Sequence, residues 1–476
     1  MQLKYLHIKE FRNLKNFKLN FDYSENNPLT VLLGKNGAGK SNLLEAILFI
    51  FRNLHYSDSL PIPFEYTIQF KIHGIEIKIT ASEKEKPKYL FEIDGQKRTG
   101  KEILEMSKTW MYEKQPEKLE GILPENVLVY YAGYSKRMEY YFEKTDEDYA
   151  KALRDNKYYG FRPLFYYKPI HYRFILLGLF ASKLPALTEF LNEKLKIEKL
   201  THFEIIIKRP DWARLKTDTH ENFWRASGRV KIFFKFLQDN SAQVPRINDD
   251  TLIFSFDAKK LAALIPSSTI PTEIELVKLL DAADLGGFIK EINIYFRKEK
   301  VKSELEFSHL SEGEQQIIAI RGGVELLRDR ESLFLMDEPD TFLHPDWQRD
   351  FMSYLNNDNT KDHYVMATHS PQALSMVHIK NVVIMQNGVN HSANSESFGK
   401  DTNSILEEIL DIDKRPSHIR KLEQKYFDLL SQDKLEEAKE VRTKLEKDLS
   451  ASDPIFFKAD AILKRKEFLK KNEENN

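Results

Sequence analysis

Residues 29–51, LTVLLGKNGAGKSNLLEAILFIF, constrain the fold more than any other stretch of this chain. The continuous apolar run at 29–33 reads as a strand buried on both faces. Apolar residues at 43, 44, 47, 48 and 51 then follow a helical period. Between them, GKNGAGKS (34–41) fits G-x-x-x-x-G-K-[ST] in full, and strand, loop, helix is the context that gives this pattern its meaning. Gly34, Gly37 and Gly39 let successive backbone N–H groups converge on phosphate oxygens, where a Cβ would block the turn. The helix N-terminus adds positive potential at the same point. Lys40 is placed to reach the β- and γ-phosphates, and Ser41 to ligate Mg2+. Gly34, Lys35, Asn36, Gly37, Ala38, Gly39, Lys40, Ser41 and Asn42 are therefore the candidate nucleotide cradle, with ATP and Mg2+ as the expected cofactors.

The rest of the chain suits an α/β domain of this kind. It has 476 residues, 41% hydrophobic and 30% charged, ample for a packed core. A net charge of −1 gives no global field for nucleic acid, so any such binding rests on local patches. The absence of cysteine excludes disulfides, thiolate metal sites and Cys nucleophiles, and suits a reducing cytosol. The opening MQLKYLHIKEFRNLK alternates apolar and charged residues and lacks the apolar centre of a signal peptide. The most apolar run, FILLGLFA at 174–181, is far short of the ~20 residues that span a bilayer. The expectation is a soluble, cytoplasmic protein with no membrane contact.

Along the chain, 3–8 and 17–21 read as short strands, 64–93 as a meander of strands, and 127–132 as another strand. Residues 135–250 are rich in aromatic and charged residues and read as mostly helical. TLIFSFD (251–257) returns to β. After 310 the pattern alternates: helix 315–328, strand 333–336, helix 346–356, strand 363–367, helix 371–377, strand 381–386. Such alternation implies a parallel sheet covered by helices. The expected organisation is one ATPase domain split between 1–132 and 251–395, a mostly helical insertion at 133–250, and a helical C-terminal extension at 396–476. In that extension Ile419, Leu422, Tyr426 and Leu429 form one apolar stripe, and Leu435, Ala438, Val441, Leu445 and Leu449 another. Two readings of the stripes stand: packing against a neighbouring subunit or partner helix, or a solvated helix laced by i, i+4 ion pairs.

Two further strands end in polar residues. SLFLMDEPDTFLHP (332–345) closes on Asp337, at the strand end where open α/β sheets place ligand-binding groups, and this carboxylate suits Mg2+. Glu338 follows it, points elsewhere, and suits polarising an attacking water. YVMATHSPQAL (364–374) ends in Thr368, His369 and Ser370, and His369 is placed to hydrogen-bond a γ-phosphate.

A phosphate loop, then LSEGEQQ (310–316), then LMDEP, then THS, in that order, resembles the ABC-type ATPase head shared by transporters, SMC proteins and RecF-like proteins. The resemblance covers about residues 1–50 and 305–390. It implies an α/β head with a mixed, mainly parallel sheet, an antiparallel β region near the N-terminus, and helices. It also implies that Ser311, Glu312, Gly313, Glu314 and Gln315 close over ATP held by a second subunit, with Ser311 and the Gly313 N–H at the γ-phosphate. ATP then joins two heads, a homodimer at minimum and in some systems a higher oligomer, and hydrolysis releases them. Such heads carry a further loop with a Gln that contacts the γ-phosphate. No Gln here takes that place, since Gln69 falls within an expected strand and YYAGYSKR (130–137) has none.

Within this group, LHIKEFRNLKNFKLNF resembles RecF-like openings. DEPDTFLHPDWQ (337–348), NSILEEIL (403–410) and the tail KLEEAKEVRTKLEKDLSASDP (434–454) resemble compact ATPases of bacterial anti-phage defence, the Septu and retron-associated ATPases, with OLD and PARIS-type ATPases as cousins. That resemblance implies a slow ATPase that regulates a separate HNH nuclease, in some systems together with a reverse transcriptase and its DNA–RNA product (msDNA). No nuclease pattern is visible here, so DNA cutting is expected to need a partner. The alternatives are a RecF-like repair ATPase acting directly on DNA, and a scaffold whose ATP is structural. Two basic-aromatic stretches (134–144 and 158–174) can stack bases and hold phosphates, and 295–302 can form a basic hairpin near a DNA track, but the favoured reading is core or interface aromatics with solvated charges.

Overall fold

A computed structural model describes residues 1–21, 28–55, 62–84, 88–99, 122–133, 137–154, 162–241, 246–248, 250–327, 330–356, 360–392, 396–409 and 415–474. The chain forms two compact units, 1–400 and 401–476. The stretches 134–144 and 158–174 lie partly, and position 410 wholly, outside the described residues.

The first unit opens with a hairpin, β1 (Gln2–Phe11) and β2 (Leu14–Asn20), and then β3 (Leu29–Leu33). The hairpin extends through β4 (Tyr66–Ile72), β5 (Ile75–Ala81), β6 (Tyr89–Ile93) and β7 (Gln96–Thr99) into a sheet ordered β2-β1-β4-β5-β6-β7, antiparallel at every pairing. Its sequence alternation is the alternation of burial. Tyr66, Ile68, Phe70 and Ile72 turn inward while their neighbours stay half-exposed. These inward residues join one core with helix Lys40–His55, whose Leu43, Leu44, Ile47, Leu48 and Phe51 are buried.

β3 belongs to the central sheet. That sheet adds β8 (Val127–Tyr131), β9 (Leu164–Tyr166), β15 (Leu333–Asp337), β16 (His363–Ala367), β17 (Val382–Gln386) and β18 (Val389–Ser392), in the order β18-β17-β3-β16-β15-β8-β9. All pairings are parallel except β17–β18. Every residue of β3, β15 and β16 is buried, which is why these strands appear in the sequence as unbroken apolar runs.

Among the described residues of 133–250 helices outnumber strands, but the segment also supplies strands to two sheets. Helices Tyr140–Arg154, Pro169–Ala181 and Gly228–Asn240 are present. But β9 is an edge strand of the central sheet, and β10 (Ile197–Lys208) is the middle strand of a third, antiparallel sheet. With β11 (Arg246–Asn248), β12 (Thr251–Asp257), β13 (Ile289–Lys298) and β14 (Leu305–Glu306) it runs β11-β12-β10-β13-β14. β12, assigned from sequence to the far half of a split domain, therefore pairs with a strand from inside the supposed insertion. The physical cause is the period: Phe203, Ile205 and Ile207 are buried on one face of β10, two residues apart.

The helix expected at 315–328 begins earlier and is broken into an α-turn segment Glu312–Ile317, a π-helical turn Ile318–Gly322 and a short α segment Gly323–Leu326. The apolar 174–181 run lies in helix Pro169–Ala181, with Phe174, Leu176 and Leu177 fully buried. Among the described residues no single helix is long and apolar enough to cross a membrane.

The second unit is helical: Thr402–Glu408, Ser417–Ser431, Leu435–Asp448 and Pro454–Glu474. Its two apolar stripes meet each other. Ile419, Tyr426 and Leu429 share a core with Ala438, Val441 and Leu445, and Ile455, Phe456 and Ala459 of the last helix close it. The stripes thus pack mainly on each other within the unit, while Leu435 stays exposed. Arg415 clamps the start of the last helix through two bonds to Asp453, at 3.1 and 2.7 Å.

Candidate functional site

The C-terminal ends of β3, β16 and β15 lie side by side, so the residues that follow each strand meet in space. β3 runs into the 34–41 loop. Gly37 and Gly39 adopt φ of +81° and +110°, backbone that side-chain-bearing residues rarely take. A Cβ on Gly34 would sit 2.2 Å from the Met385 carbonyl oxygen, and one on Gly39 would meet the Asn13 side chain at 3.0 Å. The loop is thus pinned between two hairpins. Asn13 of the β1–β2 turn donates to the Gly37 carbonyl at 3.2 Å, and the Gly388 N–H of the β17–β18 turn donates to the Ala38 carbonyl at 2.8 Å.

Lys40 is buried, and its ammonium donates to the Gly34 carbonyl oxygen at 2.8 Å and to His369 Nε2 at 2.7 Å. Burial pushes its pKa down, opposed by the charges of Asp337 and Glu338. His369 stands after β16, and its Nε2 is also 3.3 Å from Glu338 Oε1. Burial and the Lys40 charge lower the His369 pKa, opposed by Glu338, so the ring is neutral near pH 7 and accepts from Lys40. Glu338 turns out of the strand line at φ +53°, with its side chain 43% exposed. The turn is held by Thr341, whose hydroxyl donates to the Glu338 carbonyl at 2.9 Å.

Asp337 is 3% exposed, and burial raises its pKa, opposed by a hydrogen bond from Ser41. Its Oδ2 is buried with no hydrogen-bond partner. A buried, unsatisfied carboxylate oxygen beside a hydroxyl is a pair of hard oxygen ligands and fits Mg2+. Among the described residues no cluster of three or more His, Asp or Glu side chains could hold a metal by itself.

Lys35 and Asn36 are exposed on the loop, and Asn42 sits at the start of the helix. Asn42 binds three side chains that sequence reasoning did not single out. It donates to Asn13 Oδ1 at 2.6 Å and accepts from Arg12 at 3.3 Å and from Arg137. Both arginines are anchored on Glu45, a fully buried acid one helical turn on, with Arg12 at 2.7 Å. Burial pushes the Glu45 carboxyl up, opposed by Arg137 and then Arg12. An acid on the apolar face of the loop helix was the available signal. Gln69 lies in β4, paired with Tyr5 and Lys78, and not at this site.

The 310–316 stretch packs through Gln316 on the turn that follows Glu338. Ser311 and Glu312 are exposed, and Gly313, Glu314 and Gln315 half-exposed. Ser311 caps the helix: its hydroxyl accepts from the Glu314 N–H at 3.3 Å, and Glu314 accepts from the Ser311 N–H at 2.9 Å. This S-x-x-E box was legible in the sequence. Glu314 is held further by Lys298.

A family model for the AAA ATPase domain matches residues 1–374. The chain is similar to a retron Ec83 probable ATPase from Escherichia coli, 28% identical over 149 residues, which are 29% of this chain and 28% of that one. It is also similar to the DNA replication and repair protein RecF of Streptococcus pneumoniae strain CGSP14, 34% identical over 94 residues, 18% of this chain and 25% of that protein. The matches thus span about a quarter of these curated relatives' length. Among solved structures it resembles the SMC head domain from Thermotoga maritima, with a TM-score of 0.33 and 13% identity over 82% of this chain and 97% of that one.

Proposed function

Because the chain belongs to the AAA ATPase domain family, we propose that it binds Mg2+-ATP on the 34–42 loop and hydrolyses it slowly to ADP and phosphate. The observation that supports this most is the meeting of Lys40, Asp337, Glu338 and His369 at three adjacent strand ends. In this reading Lys40 and the loop N–H groups hold the β- and γ-phosphates. Ser41 and Asp337 hold Mg2+, which when bound neutralises charge on the phosphate oxygens. Glu338 takes the proton of the attacking water, and neutral His369, released from Lys40 and in its Nε2–H tautomer, donates a hydrogen bond to the γ-phosphate. Arg12 and Arg137 add positive charge beside the loop.

The 311–315 segment, with Ser311 and Glu312 exposed at the start of its helix, is proposed to close on ATP held by a second copy. ATP would then join two heads, and hydrolysis would part them. The likeness to a retron ATPase supports a role as the ATPase subunit of an anti-phage defence system. Head association there would regulate a separate HNH nuclease, with or without a reverse transcriptase and its msDNA. The likeness to RecF supports a second reading, a repair ATPase acting directly on DNA.

Affinity capture of the tagged chain from its native cells, with mass spectrometry of what co-purifies, separates the two. A nuclease in stoichiometric amount is the result expected of a defence complex. DNA alone, with DNA-stimulated hydrolysis, favours repair. At the site itself, equal nucleotide affinity in wild type and Lys40→Ala would overturn the assignment.

A further inference from the structure

Gln316 is 2% exposed and sits on the inner side of helix Glu312–Ile317, away from the face that carries Ser311. Its carboxamide donates to the Pro339 carbonyl at 2.6 Å, and its oxygen accepts from the Phe342 N–H at 3.3 Å. Both partners lie in the turn that directly follows Glu338. Gly313 on the same helix approaches this turn so closely that a Cβ there would be 2.7 Å from the Phe342 carbonyl oxygen. The other side of the turn is fastened too. Gln348 donates to the carbonyls of Asp340 and Leu343 at 3.0 and 3.1 Å. The loop carrying His369 is tied in by Thr368, which donates to Asp340 at 2.6 Å, and by Ser370, which donates to Gln348 at 2.6 Å.

The turn after Glu338 is therefore fastened on both sides, and the Gln316 side chain joins it to the 312–317 helix. We infer that Gln316 is a positioning residue: it transmits engagement of the 311–315 loop to Glu338 and His369 of the same chain. When a second copy's nucleotide draws on Ser311 and Gly313, the helix cannot shift without moving the 339–342 backbone. A carboxamide suits the task because it meets a carbonyl and an N–H at once, and an apolar residue would leave the buried Pro339 carbonyl unpaired and release the Phe342 N–H. In a two-headed assembly each active site would thus be set by occupancy of the other. This inference rests on the head-association reading above.

The test uses the full chain and three measurements: affinity for a fluorescent ATP analogue, turnover per site against protein concentration, and thermal melting. For Gln316→Met, which keeps the length, nucleotide affinity should stay within about twofold of wild type while turnover at associating concentrations falls about tenfold or more. Gln316→Glu keeps the acceptor for Phe342 and loses the donor to Pro339 until it is protonated, and burial raises a carboxyl's pKa. Its turnover relative to wild type should therefore rise as pH falls from 8 to 6. Wild-type turnover with wild-type concentration dependence in Gln316→Met, or a flat pH ratio in Gln316→Glu, overturns the role. So does a parallel fall of melting temperature and nucleotide affinity, which makes Gln316 an ordinary packing residue. If turnover per site in the wild type is independent of concentration, the head-association reading fails first, and the role of Gln316 with it.

Discussion

Replacing Asp340 with Asn probes the electrostatics of the turn behind Glu338. Asp340 is 3% exposed, and its carboxylate accepts the Thr368 hydroxyl at 2.6 Å. Burial pushes its pKa from 3.8 up to about 6, against the Thr368 bond, which lowers it. Between those two values the folded protein holds the proton more tightly than the unfolded chain. The stability this confers is full below 3.8 and is lost as pH rises through about 6. The ionised wild type at pH 8 therefore carries a penalty of roughly 3 kcal/mol. Asn keeps an acceptor for Thr368 and never ionises, though its amide protons need partners that the buried site supplies incompletely. The expected result is a variant more stable than wild type by roughly 2 kcal/mol at pH 8, with the gap narrowing by roughly 1 kcal/mol at pH 5. Urea unfolding of both proteins at the two pH values, followed by tryptophan fluorescence, reads this directly. An Asn variant less stable than wild type at pH 8, or a gap that does not narrow at pH 5, would refute the reasoning. It would mean that the ionised carboxylate is favourably held.

Two further substitutions address the site. Lys40→Ala removes the only side-chain ammonium proposed for the phosphates and should weaken Mg2+-ATP binding by about a hundredfold or more, as titration calorimetry measures. Gly313→Ala forces a methyl against the Phe342 carbonyl and should lower stability by about 1–3 kcal/mol by chemical unfolding. It should suppress ATP turnover while ATP-analogue affinity at the Lys40 site remains.

Legibility followed burial. β3, β15 and β16 are buried on both faces, so their runs stood out, and the residues after them marked the site. β10 and β13 escaped because their alternation is diluted by charges and irregular register. β13 buries Ile292, Ile294 and Phe296 but pairs with β10 through several register shifts. The mixed α and π helix at 312–326 has no single period to read. Lys40, Asp337, Glu338 and His369 were candidates from motif order alone, and the fold brings them together. Arg12, Arg137 and Glu45 were not, since the Arg12–Glu45 and Arg137–Glu45 pairs join residues 33 and 92 positions apart and no local pattern links them. Gln316 was visible as one letter of LSEGEQQ, but its direction, inward to 339–342, depends on the fold.

On the reading proposed here, ATP joins two copies of this chain. Light scattering during size exclusion of Glu338→Gln, with and without Mg2+-ATP, tests it most directly, because the variant should bind ATP and not turn it over. The expected result is about double the mass with ATP, reversed when Lys40→Ala is added to the same chain. An unchanged mass, with ATP shown to be bound, would overturn ATP-driven head association.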